Sequence, residues 1–366
     1  MFKETCIVEA FEHKHLGVML TSDLKWSNHI SMCCSKSFKK LGLLRRQSRK
    51  LSRSQREVVY LNIIRPTIEY GSILFHNCTQ QDSSRLDSIQ RKAAIICTGA
   101  ISRTETRKLM LELNWDSLSI RRTYAKLCLF FKIAHHKTPQ YLGQKYFTNA
   151  GSTRLTRMTA TAEHRILEPR CRIVCYQSSF FPSSIKLWNM LPSSILQCES
   201  ILSFKVNIRQ HLKLSKNSSE KTLAYFSTGR LGRVLTQIRL GLSPLNYHLF
   251  EYNINDNPFC PKCGTEFETI LHFFCDCPHY EDDRFLLRNN VNLLISCLPT
   301  YLTINIDVQN NSSFCKLLTN GIKLDESLCP VITDVLIDQV SGFNHQLYCQ
   351  VVRFMYNSAR FICPTA

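Results

Sequence analysis

The chain has 366 residues, 44% of them apolar, with 46 Lys and Arg against 28 Asp and Glu and a formal net charge of +18. That length and apolar content suffice for two or three buried cores, and 18 cysteines are too few for a disulfide scaffold. The longest apolar run, from Leu127 to Ile133, is broken by Lys132 and falls far short of the ~18 residues of a membrane span, so a membrane partner is excluded.

The start, Met1-Phe-Lys-Glu-Thr-Cys, carries acid where a secretory leader would carry base. The expectation is an intracellular protein of the nucleus or cytoplasm with reduced thiols, in which the N-x-S/T matches at Asn77, Asn217, Asn310 and Asn311 carry no glycan. Charge is uneven: residues 1–250 hold 39 Lys and Arg against 15 Asp and Glu, and residues 251–366 hold 7 against 13. A basic excess confined to one part of a chain is the footprint of a polyanion partner, most often RNA or DNA.

In chain order, the short apolar segment His15-Leu-Gly-Val-Met-Leu20 and then Asp23, Trp26 and His29 precede a helical pattern. Lys36 to Arg56 is the most basic window, with Lys36, Lys39, Lys40, Arg45, Arg46, Arg49, Lys50, Arg53 and Arg56 and no acid, while Phe38, Leu41, Leu44 and Leu51 keep an apolar stripe. Such a helix can bury one face and offer the other to phosphates, which makes these nine residues the candidate nucleic-acid contacts. Ser54-Gln-Arg-Glu57 has the form of a capping box, and Pro66 should end or kink the helix behind it.

Residues 82–98 predict a second helix, with Leu86, Ile89, Ala93 and Ile96 on its stripe and Gly99 as its cap, and Ser117 to Lys137 predict a third. From Gly151 arginines at 154, 157, 165, 170 and 172 appear, and Arg170-Cys-Arg-Ile-Val-Cys-Tyr176 alternates like an edge strand. Phe180, Phe181 and Trp188, with Pro182 and Pro192, form an aromatic, turn-rich patch that reads either as base-stacking aromatics or as a packed corner. A Ser-, Lys- and Asn-rich linker at 214–224 precedes a helix from Gly229 to Gly241.

Cys260, Cys263, His272 and Cys277 follow, at the spacing C-x2-C-x8-H-x4-C. Zinc takes four such ligands tetrahedrally, a two-residue gap lets a tight turn aim two thiolates at one point, and Pro261 and Gly264 are suitable turn residues. The competing reading is a set of buried small apolar side chains. Cys275 competes for the fourth place, and Pro278 favours Cys277 because it stops the chain where the site should close. Tyr280-Glu-Asp282-Asp283 matches a pattern that holds catalytic magnesium on a hairpin, but it lacks flanking apolar strands, so its acids are expected in a helix's first turn. Val331 to Phe361 predicts one or two amphipathic helices.

His15-Leu-Gly-Val-Met-Leu, Asp23 and Trp26, Ile64-Arg-Pro-Thr-Ile-Glu-Tyr-Gly71, Leu86-Asp-Ser-Ile-Gln-Arg-Lys-Ala-Ala, Ser179-Phe-Phe-Pro-Ser-Ser-Ile-Lys-Leu-Trp-Asn-Met-Leu-Pro192 and the Cys260–Cys277 knuckle come in that order. Together they resemble the C-terminal part of a non-LTR (LINE-type, jockey-like or CR1-like) retrotransposon reverse transcriptase. The resemblance implies a mainly α fold in which a basic helical thumb and connector with a short β-containing segment precedes a small zinc-knuckle helical domain. Its pieces would be the residual end of a palm-like segment at 1–30, thumb and connector at 31–150, an aromatic and Arg-rich connector at 151–213, the linker at 214–224, a helix with the CCHC knuckle at 225–297, and a helical C-terminus at 298–366. It also implies a template-RNA or target-DNA binding fragment with one structural Zn2+. The catalytic palm would precede Phe11, so no catalytic residue is assigned, and Mg2+ would enter only with a palm attached. The alternatives are an active reverse transcriptase, or a co-opted zinc-containing protein-interaction module without nucleic-acid function.

Overall fold

The structure is a computed structural model and describes residues 10–142, 165–214, 229–303, 306–322 and 334–361. Residues 1–9, Arg154, Arg157 and all but the first residue of the expected linker lie outside the described residues. Among those described, the architecture is mainly α-helical with one two-stranded sheet.

Strands β1 (Glu12–His15) and β2 (Val18–Thr21) pair antiparallel, Glu12 opposite Thr21 and His15 opposite Val18. The connecting residues Leu16 and Gly17 have φ of 46° and 84°, the left-handed pair that a two-residue hairpin turn needs. The Tyr70 hydroxyl donates to the Leu16 carbonyl at 2.7 Å and pins this turn. Helix α1 (Ser27–Gln47) follows, burying Ile30, Cys33, Cys34, Leu41 and Leu44 at helical spacing, whereas Phe38 lies at the exposed edge of the stripe.

Helix α2 (Arg53–Val59) is capped two residues earlier than Ser54-x-x-Glu57 suggests. The Ser52 N–H donates to Gln55 Oε1 at 2.9 Å and the Gln55 N–H to Ser52 Oγ at 3.3 Å, a reciprocal box that leaves Glu57 to turn inward. The helix does not end before Pro66. It widens into a π stretch over Tyr60–Ile64 and resumes as α3 (Arg65–Glu69). Pro66 has no N–H and its ring crowds the carbonyl four residues back, and a wider turn relieves both.

Helix α4 (Gln80–Thr98) stops at Gly99, where φ is +71° and an added Cβ would fall 2.7 Å from the Arg233 side chain. Helices α5 (Thr106–Leu113) and α6 (Leu118–Ala134) come next, the latter capped by Ser117 accepting the Ile120 N–H. The edge strand expected over Arg170–Tyr176 is absent: Val174–Ser178 form the helical turn α7, with the Gln177 N–H on the Ile173 carbonyl. No strand lies beside it among the described residues, so an extended backbone would leave its polar groups unpaired, and helical closure satisfies them locally.

Helices α8 (Phe180–Asn189), α9 (Ser193–Leu196) and α10 (Ile201–His211) complete the first half. The second half holds α11 (Gly229–Arg239), α12 (Asn246–Glu251), α13 (Glu281–Ser296), α14 (Thr300–Thr303), α15 (Asn311–Asn320) and one long helix, α16 (Asp334–Asn357).

The chain divides into two units that interleave along the sequence. The first comprises Met1–Leu43, Tyr60–Gln90 and Asn114–Asn217, the second Leu44–Val59, Arg91–Leu113 and Ser218–Ala366. In the first, Trp188 stacks on Phe204 and tilts against Phe130 in a core with Leu127, Ile185 and Ile208, so the aromatic stretch around Pro182 is a packed corner. In the second, Phe273, Phe274, Tyr280, Leu347 and Phe354 centre a larger core.

The second unit also buries ions. The Arg53 guanidinium pairs with Glu57 at 2.9 Å and Glu112 at 2.8 Å, and Arg239 reaches the other Glu112 oxygen at 2.9 Å. Removing one partner from such a network leaves buried charge uncompensated. Glu112→Ala is therefore expected to cost about 3–5 kcal/mol, read as a lower urea midpoint at unchanged slope, whereas Ser52→Ala should cost only about 1 kcal/mol.

Candidate metal centre

The loop between α12 and α13 is built to bring four side chains to one point. Phe259 and Phe267 form an isolated antiparallel bridge, and the Cys260 N–H donates to the Glu266 carbonyl at 2.8 Å. The Gly264 N–H returns to the Cys260 carbonyl at 2.9 Å, and Gly264 adopts φ +70°, which a residue with a Cβ enters only with strain. This reversal aims Cys260 and Cys263 the same way.

The second pair depends on a π turn over His272–Asp276, closed by the Cys277 N–H on the His272 carbonyl at 2.8 Å. In an α-helix, at about 100° per residue, Cys275 would lie nearer the face of His272 than Cys277 would. The wider turn, with Cys277 leaving it extended at φ −62° and ψ 121°, brings Cys277 to the imidazole instead. Cys275 turns away, its thiol 3.5 Å from the Asn311 carbonyl and hydrogen-bonded to Cys315.

The ligand atoms of Cys260, Cys263, His272 and Cys277 all lie within 4.8 Å of one another. Cys260 Sγ is 3.9 Å from Cys277 Sγ, and Cys263 Sγ is 3.4 Å from His272 Nε2. Metal bonds of about 2.3 Å to sulfur and 2.0 Å to nitrogen in a tetrahedron give edges of about 3.8 and 3.5 Å, so both separations fit. A disulfide would need about 2.05 Å.

The proton chemistry fits a cation as well. Although burial raises it, the Cys263 thiol is held down at about 6 by the Thr265 hydroxyl and the Glu266 and Thr265 N–H groups. Burial pushes Cys277 up to about 12, with the neighbouring Cys260 sulfur adding to the rise. Three clustered sulfurs cannot all hold negative charge on their own, and a divalent ion between them removes that conflict. The cluster is thus able to hold a metal ion.

Further groups lock the frame, and spacing gives no hint of them. Glu268 is wholly buried, accepts the Asn246 N–H at 2.6 Å and pairs with Arg360, 92 residues away. Arg284 donates to the carbonyls of Phe274 and Cys277. Glu281, Asp282 and Asp283 stand in the first turn of α13, where negative charge favours the helix dipole.

The nine candidate nucleic-acid contacts separate into two groups. Lys36, Lys39, Arg45, Arg46, Arg49 and Lys50 are exposed. Lys40 gives its ammonium to the Ile63 carbonyl and the Thr67 hydroxyl at 3.1 and 2.6 Å. Arg53 and Arg56 are buried, the first in its ion pairs, the second on the Ser52 and Ile96 carbonyls at 3.3 and 2.7 Å. Glu57, four residues after Arg53 and one beyond the acid-free window, is the sequence signal for this inward turn.

No family model, curated protein or solved structure matches the chain. The two cysteines are separable by experiment. Cys277→Ser should lose most of the bound metal on dialysis, whereas Cys275→Ser should keep one equivalent per chain, both measured by elemental analysis.

Proposed function

We propose that this chain is a zinc-folded interaction module, in which one Zn2+ ion stabilises the second unit and recognition is carried by protein surfaces outside the metal cluster. The observation that carries this reading is the convergence of three thiols and one imidazole at tetrahedral spacing inside a hydrophobic core. Soft donors in that number and geometry favour zinc, and four protein ligands leave no open position for a substrate, so the ion's role is folding. Residues 251–366 are net acidic, and Lys262 is the one cation between the first and last ligands, which suits a protein partner better than phosphate. The outward side of α13 adds exposed Phe285, Leu286 and Leu293 while Leu287 and Val291 face the core.

The second reading, nucleic-acid binding, is favoured by the six exposed cations of α1 and the residues after it, none of which is ion-paired among the described residues. It agrees with the resemblance to the C-terminal part of a non-LTR reverse transcriptase, under which this region would grip template and duplex and polymerisation would need a separate palm. The two readings differ in salt dependence. Interaction-module function predicts one bound zinc and no steep salt response of RNA or DNA binding between 50 and 300 mM salt. Nucleic-acid function predicts an affinity falling as a power of salt concentration, by about 0.7–0.9 per phosphate contacted. In that case combined alanine substitution of Lys39, Arg45, Arg46 and Arg49 would flatten the slope.

A further inference from the structure

The first unit contains a cleft of 430 Å³ whose lining includes His76, Asn77, Cys171, Ser178, Ser183 and Lys186. Ser183 and Lys186 stand three residues apart on α8, so both face it from one side of that helix. Behind Ser183, in the middle of α6, lies Lys126. It is 1% exposed, and its ammonium donates to Ser183 Oγ at 2.5 Å. No carboxylate pairs with it among the described residues, and the Phe180 ring lies 5.9 Å from Nζ.

A buried lysine with no carboxylate partner is expensive to keep charged, and a hydroxyl lining a cleft is the group that would use its neutral form. We propose that Ser183 and Lys126 form a nucleophile–base pair, and that the cleft is a site for acyl-ester substrates.

While Lys126 is protonated it donates to Ser183 Oγ, and the Ser183 hydroxyl donates to the Ser179 carbonyl. Once Lys126 is neutral, the hydroxyl can rotate to donate to Nζ. As Oγ attacks the ester carbonyl carbon, the C–O bond forms, its proton passes to Nζ and the carbonyl oxygen takes up the negative charge. Lys186, on the same face, is the cation available to that oxygen. Collapse breaks the ester C–O bond, and the alcohol leaves with the proton from Lys126. A water molecule then repeats the sequence to release the acid and restore Ser183.

Burial lowers the Lys126 ammonium to about 8, so the neutral base is reached at mildly alkaline pH. The surrounding charges do not reverse this. His76, on the cleft wall, is held below its usual range by burial and further by Lys126 and Arg122. Arg122, one turn earlier on α6, donates to Ser83 Oγ, and Lys186 and Glu168 complete the charged lining.

The test uses the full chain and a fluorophosphonate probe, in which Ser183 Oγ displaces fluoride from phosphorus and Lys126 takes the proton. The expected result is one adduct per chain, mapped to Ser183 by peptide mass spectrometry, forming at a rate that rises through an inflection near pH 8. Ser183→Ala should abolish it, and Lys126→Met, similar in volume, should slow it by about 100-fold or more. No adduct at pH 9 on protein with an unchanged circular dichroism spectrum would overturn the proposal. So would an adduct at another residue, or labelling that is independent of pH and of Lys126.

Discussion

Three thiols and an imidazole packed among phenylalanines give the second unit a core able to hold a cation at its centre. Burial drives the Cys277 thiol up, with the Cys260 sulfur adding to the rise, while the Thr265 hydroxyl and the backbone N–H groups of Glu266 and Thr265 hold Cys263 down against burial. The same backbone that aims the ligands also builds the apolar surround. The π turn that carries Cys277 to His272 places Phe273 and Phe274 inward, and Phe273 meets Tyr280, Phe354 and Phe361 edge to face. Placement of the four side chains and packing in the second unit are therefore one constraint, and the Glu268–Arg360 pair ties the residue stretch after α16 to the knuckle.

The basic window shows how little composition says about where a charge is used. Arg46 and Arg53 lie one heptad apart in sequence, yet one is exposed and the other sits between two glutamates. Part of the arginine content of residues 1–250 thus stabilises the inside, paired with acids. Six of the nine cations of this window, rather than all nine, are exposed.

Legibility followed the range of the determining interactions. Helices α4 and α6, with Gly99 and Ser117 at their ends, could be read because apolar period and caps are local. The capping box slipped by two residues because Ser52 and Ser54 both have an acceptable partner three residues on, and only the inward turn of Glu57 toward Arg53 decides between them. The Arg170–Tyr176 alternation suggested a strand, but alternation specifies a face and cannot supply a neighbour. Which four side chains cluster was legible through Cys-x2-Cys and Pro278. The π turn that brings Cys277 into the cluster was not, since it depends on packing of Phe273 and Phe274 against helices far along the chain.

The buried cations differ in a way that sequence alone hides. Arg53 and Arg239 pair with carboxylates, Arg56 donates to two backbone carbonyls and Arg122 to Ser83 Oγ, and each guanidinium stays charged, since it cannot shed its proton within the protein range. Lys126 donates to Ser183 Oγ, and an amine can answer burial by giving up its proton, so the cost of burial becomes a lowered proton affinity. A static structural role would be met as well by methionine in the same volume. An amine at hydrogen-bond distance from a cleft-facing serine, 57 residues away in sequence, is the arrangement in which that lowered affinity has a chemical use.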